Sequence, residues 1–335
     1  MSVRRLGIVG LGMAVNKHAL ALQELAGRAE VAAAWSPTAQ RRADFAARHR
    51  MPVTHTLDAV IDDPSISLIL VLTPPWSHRD LVARCAAAGK HVLLEKPIEA
   101  TLERSLEVVR LCRDAGVTLG IVFQNRFRSP HLRLAALLAE GRLGRLLSAS
   151  LAVRWWRPDT YFAEPGRGMK ERDGGGVLLT SAIHALDQLV SLAGQPESVC
   201  GFQATSPLRR IDTEDVVAGA VRWASGMIGT LDATTTSFPG TPERIDIAGE
   251  HGSATLERTR LRVWLKDGTT IDQEEDQADP AAAGDYLSRR RLLEDLLDAL
   301  DTGREPAVNG EVSLPAHRLI DALMRSSTSG RVEHL

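Results

Sequence analysis

With 335 residues, 44% of them hydrophobic, and a formal net charge of −2, the chain is long enough for two domains that each bury a core. The small net charge gives no global attraction to nucleic acid or to an acidic membrane, and no apolar run of membrane length or signal-peptide type is visible. Cys85, Cys112 and Cys200 are odd in number and widely spaced, so the expectation is buried thiols in a reducing cytoplasm rather than a disulfide framework or a CxxC site.

The chain starts with an apolar strand, Leu6 to Val9, that runs into Gly10-x-Gly12. A helical pattern follows from about Asn16 to Leu25, and a second strand spans Val31 to Trp35. Glycines at such a turn let backbone approach a pyrophosphate at the helix N-terminus. The third glycine of that fingerprint is absent, because its place is Val15. An ordinary strand–helix turn would leave a similar trace. A helix over Thr38 to His49 comes next, then a buried strand, Leu68 to Thr73, ending at Pro74-Pro75. Asp80 to Ala88 reads as a helix stopped by Gly89. The strand His91 to Leu94 leads directly into Glu95-Lys96-Pro97. A lysine at the carboxyl end of a buried strand stands where open α/β sheets bind ligands, and desolvation there lowers its pKa toward working pH. A surface salt bridge is the plainer reading of the same residues. A helix after Thr101 and a strand from Val117 to Phe123 complete an alternation that predicts a doubly wound parallel sheet.

The pattern then changes. Pro130 to Glu140 is helical, and Leu147, Ala149, Leu151, Val153 and Trp155 alternate with polar positions at strand period. Gly174-Gly-Gly176 precedes a helix from about Val177 to Leu192. Strands are expected near 198–205, 215–223, 227–236, 244–249, 254–258 and 261–266, with hairpins at Gly252 and Asp267-Gly268. Residues 272–283 read as a mobile loop, and helices near 284–301 and 313–326 close the chain. The expected architecture is α/β: an N-terminal Rossmann domain, a doubly wound parallel sheet over 1–125, and a C-terminal α+β domain over 126–335 with an open, mostly antiparallel sheet. The last helices are free in this reading to pack back on the first domain.

Several segments agree in order and spacing with one family. Gly10-x-Gly12 with His18, Thr73-Pro74-Pro75-x-x-His78, Ala88-Gly89-Lys90-His91-Val92, Glu95-Lys96-Pro97, Gln124-Asn125-Arg126-Phe127, and Gly174-Gly-Gly176 through His184 and Asp187 together resemble the glucose–fructose oxidoreductase, inositol dehydrogenase and MocA (Gfo/Idh/MocA) family. The resemblance covers nearly the whole chain. It implies hydride transfer between a nicotinamide cofactor and a hydroxyl or carbonyl carbon of a sugar, sugar derivative or cyclitol. It also implies cofactor contacts from Gly10, Gly12, Met13, Ala14, Thr73, Pro74, His78, Glu95, Lys96 and Asn125, although His18 and His78 could equally be packed turn residues. Lys96, Arg126, Thr180 and His184 would meet the substrate, with Lys96 and His184 as proton partners and Thr180 beside them. Alcohol oxidation needs such a base, and a nearby ammonium stabilises a developing alkoxide. Asp187, three residues after His184, shares a helix face with it and could orient the imidazole, although a histidine on an apolar helix is also often a core group. A reductase of dihydrodiol type on the same fold and a non-catalytic cofactor- or sugar-sensing regulator are the alternatives.

Two departures from the family pattern matter. Many relatives carry Asp where this chain has Thr180, and threonine cannot act as a carboxylate base. The acid expected of an NAD enzyme at the end of the second strand is Ser36, with Arg41 and Arg42 close behind, which favours NADP. Arg154, Trp156 and Tyr161, followed by Arg167, Lys170 and Arg172, form an aromatic and cationic cluster. It suits either a wall for an acidic or phosphorylated sugar or an interface with solvated charges. Arg154 and Trp156 share strand parity and are expected to line the substrate site with Tyr161. The free face of the antiparallel sheet predicts a homodimer or homotetramer. The ten histidines show neither HxH nor HExxH spacing, and no metal is expected.

Overall fold

A computed structural model describes residues 3–275 and 286–335. Among these, 3–99, 103–124 and 286–313 form one compact unit, and 100–102, 125–275 and 314–335 form another.

The first unit is built on strands that are apolar throughout. Leu6, Ile8, Leu68, Ile69, Leu70, Val71 and Val92 to Leu94 have no exposed surface, as in parallel strands covered on both faces. In chain order its elements are β1 (Arg4–Val9), α1 (Val15–Glu24), β2 (Ala29–Trp35), α2 (Ala39–His49), the single turn α3 (Asp58–Ile61), β3 (Leu68–Val71), α4 (His78–Ala87), β4 (His91–Leu94), α5 (Leu102–Asp114) and β5 (Leu119–Ile121). All pairings are parallel in the order β2-β1-β3-β4-β5, and a parallel bridge from Ala34 to Val53 adds an outer position beyond β2. The strand order reverses between β1 and β3. Ligands of such sheets bind outside the carboxyl ends at that switch point. The expected strand over Val117 to Phe123 is shorter than its apolar run. The N–H of Val117 still closes α5 on the Cys112 carbonyl, and that of Phe123 turns back to Ile121.

The second unit contains α6 (Ser129–Ala139), β6 (Leu146–Arg154), the short helices α7 (Asp159–Phe162) and α8 (Lys170–Asp173), and α9 (Ile183–Ala193), which a π-helical turn over Leu178–Ala182 leads into. Then come β7 (Ser198–Ala204), β8 (Val216–Arg222), β9 (Ile228–Thr234), β10 (Arg244–Gly249), β11 (Gly252–Glu257), β12 (Arg260–Leu265) and β13 (Thr270–Glu274). These strands, with β14 (Glu333–His334), make a nine-stranded sheet in the order β13-β12-β11-β10-β6-β9-β8-β7-β14, antiparallel except for β6 with β9. Thr270–Glu274 pairs with β12 and Arg260 grips Asp272 at 2.7 and 2.5 Å, so the expected loop over 272–283 starts later than its polar composition suggested. Residues 276–283 lie outside the described residues.

Ala149, Leu151 and Val153 of β6 are buried beneath α9, with Leu231, Ile245 and Ile247 on the same face. The apolar alternation of β6 is therefore used inside the unit. The open face carries Ser148, Ser150, Thr230, Asp246, Thr255 and Trp264 around a shallow groove of about 510 Å³. By length and composition the stretch Lys170–Ala193 could cross a membrane, which the sequence reading did not anticipate; 78% of its apolar window is buried, the place of a core helix.

Two helices close the chain. α10 (Tyr286–Thr302) packs on α1 in the first unit, with Arg290 paired to Glu24 at 2.8 Å. α11 (Gly310–Ser329) leads to β14 at the edge of the nine-stranded sheet.

Candidate functional site

The turn after β1 has the geometry a dinucleotide needs. Gly10 adopts φ +104°, and a Cβ there would stand 2.7 Å from the Leu72 carbonyl carbon and 2.9 Å from the Thr73 nitrogen. Only glycine lets the β1 turn lie this close to the β3 turn. Gly12 faces open space instead. α1 then starts with no side-chain cap at Ala14 and no acid in its first turn, so its N–H groups and positive dipole end suit an anion. Met13 is exposed, while Val15, in place of the third glycine, is buried. These residues fit the pyrophosphate of a nicotinamide dinucleotide.

At the end of β2, Ser36 is buried and its carbonyl accepts a 2.6 Å hydrogen bond from Arg42 Nη1, which also reaches the Pro37 carbonyl at 3.2 Å. Arg42 is thus anchored at the strand end, and Arg41 is exposed. The turn after β3 is held by Ser77 Oγ donating to Thr73 Oγ1 and to the Pro74 carbonyl, both at 2.8 Å. Glu95 follows β4 and meets the buried His18 Nε2 at 3.5 Å. Burial lowers the His18 pKa, so the neutral ring donates to the carboxylate. Burial acts to raise the Glu95 carboxyl, but His18 and the charges of Arg289 and Lys96 outweigh it and hold it below the usual range. Lys96 is half-buried at the carboxyl end of the sheet.

His78 is packed inward. Its side chain has no exposed surface and both ring nitrogens face backbone carbonyls. Asn125 is buried in the second unit, where its amide bonds Gln188 at 3.4 Å and accepts from Arg128 Nε at 3.1 Å.

In the second unit, the stretch from Val177 to Val190 is buried at every position except Thr180 and His184. They stand one turn apart, and the π-helical turn over Leu178–Ala182, a feature frequent at functional sites, presents them together. Thr180 Oγ1 donates to the Gly176 carbonyl at 2.7 Å. Thr180 and Tyr161 line one recess of about 20 Å³, room for a single water.

The N-terminus of this helical stretch is held from a distance. Glu214 Oε2 accepts from the Gly176 N–H at 2.9 Å, its Oε1 from the Leu178 N–H at 3.1 Å, and its own carbonyl from the Val177 N–H at 2.8 Å. A Cβ on Gly176 would meet the Glu214 carbonyl oxygen at 1.8 Å, which explains glycine there. Sequence reasoning missed Glu214. The available signal was a helix start without Ser, Thr, Asp or Asn before it, whose orphan N–H groups needed an acceptor from elsewhere.

Asp187, Arg126, Arg154 and Trp156 each have partners inside the second unit. Asp187 does not orient His184, because Arg126 takes both its oxygens at 2.6 and 2.8 Å. Burial pushes the Asp187 carboxyl up and the Arg126 fork opposes this. By the same contact Arg126 is tied to Asp187 inside the unit. Arg154 lies on the open face of the sheet, opposite α9, and pairs with Asp232 at 2.5 Å. Its parity with Ser148 and Ser150 puts it there. Trp156 is likewise used internally, between Phe238 at 5.6 Å and the Arg209 guanidinium at 5.2 Å. Arg209, also missed, has a side chain only 3% exposed, stacks on Phe162 at 4.7 Å and donates to the Arg157 and Thr235 carbonyls. Arg167 pairs with Glu164 and Asp173, and Arg172 with Glu164. The cationic cluster is therefore largely a structural one. Among the described residues, no group of His, Cys, Asp and Glu could hold a metal ion.

Comparison with known proteins agrees with this geometry. Residues 4–123 match the family described as "Oxidoreductase family, NAD-binding Rossmann fold", and residues 131–255 match the "GFO/IDH/MocA C-terminal domain". The chain belongs to the Gfo/Idh/MocA family. Within it, the chain is 30% identical over 254 residues to a 1,5-anhydro-D-fructose reductase of Ensifer adhaerens, covering 75% of each chain. It is 26% identical to the scyllo-inositol 2-dehydrogenase (NADP(+)) IolW of Bacillus subtilis, covering 83% of this chain and 82% of that protein. The WlbA dehydrogenase of Bordetella pertussis, solved with NADH and UDP-GlcNAcA, superposes with a TM-score of 0.86 at 27% identity, covering 100% of this chain and 99% of that one. The Gfo/Idh/MocA assignment confirms the parallel Rossmann sheet and the mostly antiparallel second sheet expected from the sequence.

Proposed function

We propose that this Gfo/Idh/MocA protein is an NAD(P)-dependent dehydrogenase or reductase acting on a hydroxyl or carbonyl carbon of a sugar, sugar derivative or cyclitol. The observation that carries it is the Gly10 turn with its uncapped α1 N-terminus at the switch point of a sheet that matches the family. The nicotinamide, when bound, gives or accepts the hydride. Lys96 donates hydrogen bonds to the reacting oxygen and stabilises its developing charge. His184 takes or returns the proton. Thr180 has its hydroxyl proton on the Gly176 carbonyl, so it accepts from a substrate hydroxyl and orients it without acting as a base. Tyr161, beside Thr180, contributes an aromatic wall. The cytoplasm is the proposed compartment; Cys85, Cys112 and Cys200 are unpaired thiols, which fits a reducing one. A panel of sugars, sugar acids and cyclitols with NAD or NADP, followed by nicotinamide absorbance, tests the reading. Cofactor binding without turnover on any of them would favour a sensing role instead.

NADP is the proposed cofactor of choice. Ser36 brings no carboxylate to repel a 2′-phosphate, and Arg42 is fixed at the same strand end. Ser36→Asp is expected to weaken NADPH binding by about tenfold or more and to leave NADH binding close to unchanged or improved. Fluorescence titration of both cofactors checks this, and tighter NADH binding by the unaltered protein would reverse the assignment.

The open face of the nine-stranded sheet is the proposed contact between copies. Ile228, Phe202 and Trp264 stand exposed on it among small polar residues. Light scattering at micromolar concentration is expected to return at least twice the 36.3 kDa chain mass, and a monomer mass would refute the homodimer.

A further inference from the structure

His78 is the first residue of α4 and its side chain is wholly buried. Its Nε2 lies 2.8 Å from the Thr73 carbonyl, and its Nδ1 lies 3.1 Å from both the Pro97 and Ile98 carbonyls. Thr73 belongs to the turn after β3 that packs against Gly10, and Pro97 directly follows Lys96. The ring thus spans two loops at the carboxyl end of the sheet. The strands beneath them are already joined by the β3–β4 ladder, which ends at Val71 with Leu94 and does not reach either loop. Beside the ring, the buried Glu99 accepts from the Arg79 N–H at 3.4 Å and from Arg104 Nη2 at 2.8 Å, so the first turn of α4 and the segment after Lys96 are tied at a second point. Carbonyl oxygens only accept. A neutral ring can therefore donate on one side and an imidazolium on both. Burial lowers the His78 pKa against the opposing pull of the carbonyls and of Glu99 and Glu95.

We propose that His78 is a positioning residue for Lys96: its imidazole holds the Lys96-Pro97 segment at a fixed distance from the Thr73 turn and so sets the lysine against the dinucleotide cradle. This rests on the assignment of Lys96 above. Proton transfer and alkoxide stabilisation depend on placement to well under an ångström, whereas cofactor affinity, spread over many contacts, does not. Loss of the strut is therefore expected in kcat before it appears in cofactor binding.

The test is a double-mutant cycle on the full chain, with kcat, KM and the NADPH dissociation constant measured for each protein. His78→Leu is expected to lower kcat by about 10²-fold, the scale of a small misplacement, with cofactor affinity little changed. His78→Gln, whose amide carries two protons, restores most of the loss. In the Lys96→Met background, His78→Leu costs little more, because its effect passes through the lysine. Additive losses, equal losses for leucine and glutamine, or wild-type turnover in His78→Leu would each overturn the proposal. Wild-type turnover in Lys96→Met would instead overturn the reading of Lys96. If the leucine variant does not fold, His78→Asn, whose shorter amide reaches one side only, goes through the same cycle, with additivity again the overturning result.

Discussion

Lys96→Met is expected to lose about 100-fold or more in turnover while still binding cofactor, the usual scale of losing a donor that stabilises a developing oxyanion. The lysine follows β4, whose residues Val92 to Leu94 are fully buried, and it sits between Glu95 and the buried Pro97. The neighbouring carboxylate is held ionised by Arg289 and His18, so the ammonium next to it is not the only charge in the turn. Methionine keeps most of the side chain's length, one atom short, and removes the charge and all donors. Because Gly10, Gly12 and the α1 N-terminus are untouched, the dissociation constant for NADPH should move far less than kcat. Steady-state kinetics beside a fluorescence titration separates the two, and near-normal turnover would remove Lys96 from the mechanism.

Asp187→Ala is expected to destabilise the protein by about 3–5 kcal/mol, the cost of deleting the buried carboxylate of an ion pair. Asp187 is fully buried, and the Arg126 fork spends two donors on it at 2.6 and 2.8 Å. The pair joins α9 to the segment before α6, where Gln188 and Asn125 make a second link at 3.4 Å. Removing the carboxylate takes two charge-assisted hydrogen bonds from a guanidinium whose side chain is only 15% exposed. Urea unfolding should show a lower midpoint for Asp187→Ala. A variant with unchanged stability but reduced turnover would place the carboxylate on the His184 ring after all.

The second prediction also shows where sequence reasoning stopped. Asp187 and His184 share a helix face, which correctly implied proximity but not partnership. Arg126 lies 61 positions earlier in the chain and outcompetes the imidazole for both oxygens. Helical spacing limits which neighbours are available along one element. It is silent about a cation arriving from another. For Arg154, parity gives one face of the sheet, but which face α9 covers is a matter of packing. The mobile loop over 272–283 was read from composition, and pairing with β12 turned its first residues into a strand.

The sequence by itself determined the alternation of strands and helices in the first unit, the run of strands in the second, the glycine turn at Gly10 and the placement of Lys96 at a strand end. These are local properties: side-chain periodicity, glycine's access to positive φ, and the burial of continuous apolar runs all act within a few residues. Packing between distant segments decided that Glu214 holds the start of the Thr180–His184 helix, that Arg126 belongs to Asp187, that Arg209 is an internal staple and that the His78 ring faces the Thr73, Pro97 and Ile98 carbonyls. Each of these is a pairing of buried polar groups far apart in the chain. Charge and hydrogen-bonding capacity are written in the sequence, but a buried group's partner is chosen by which elements the packed core brings within about 3 Å of it.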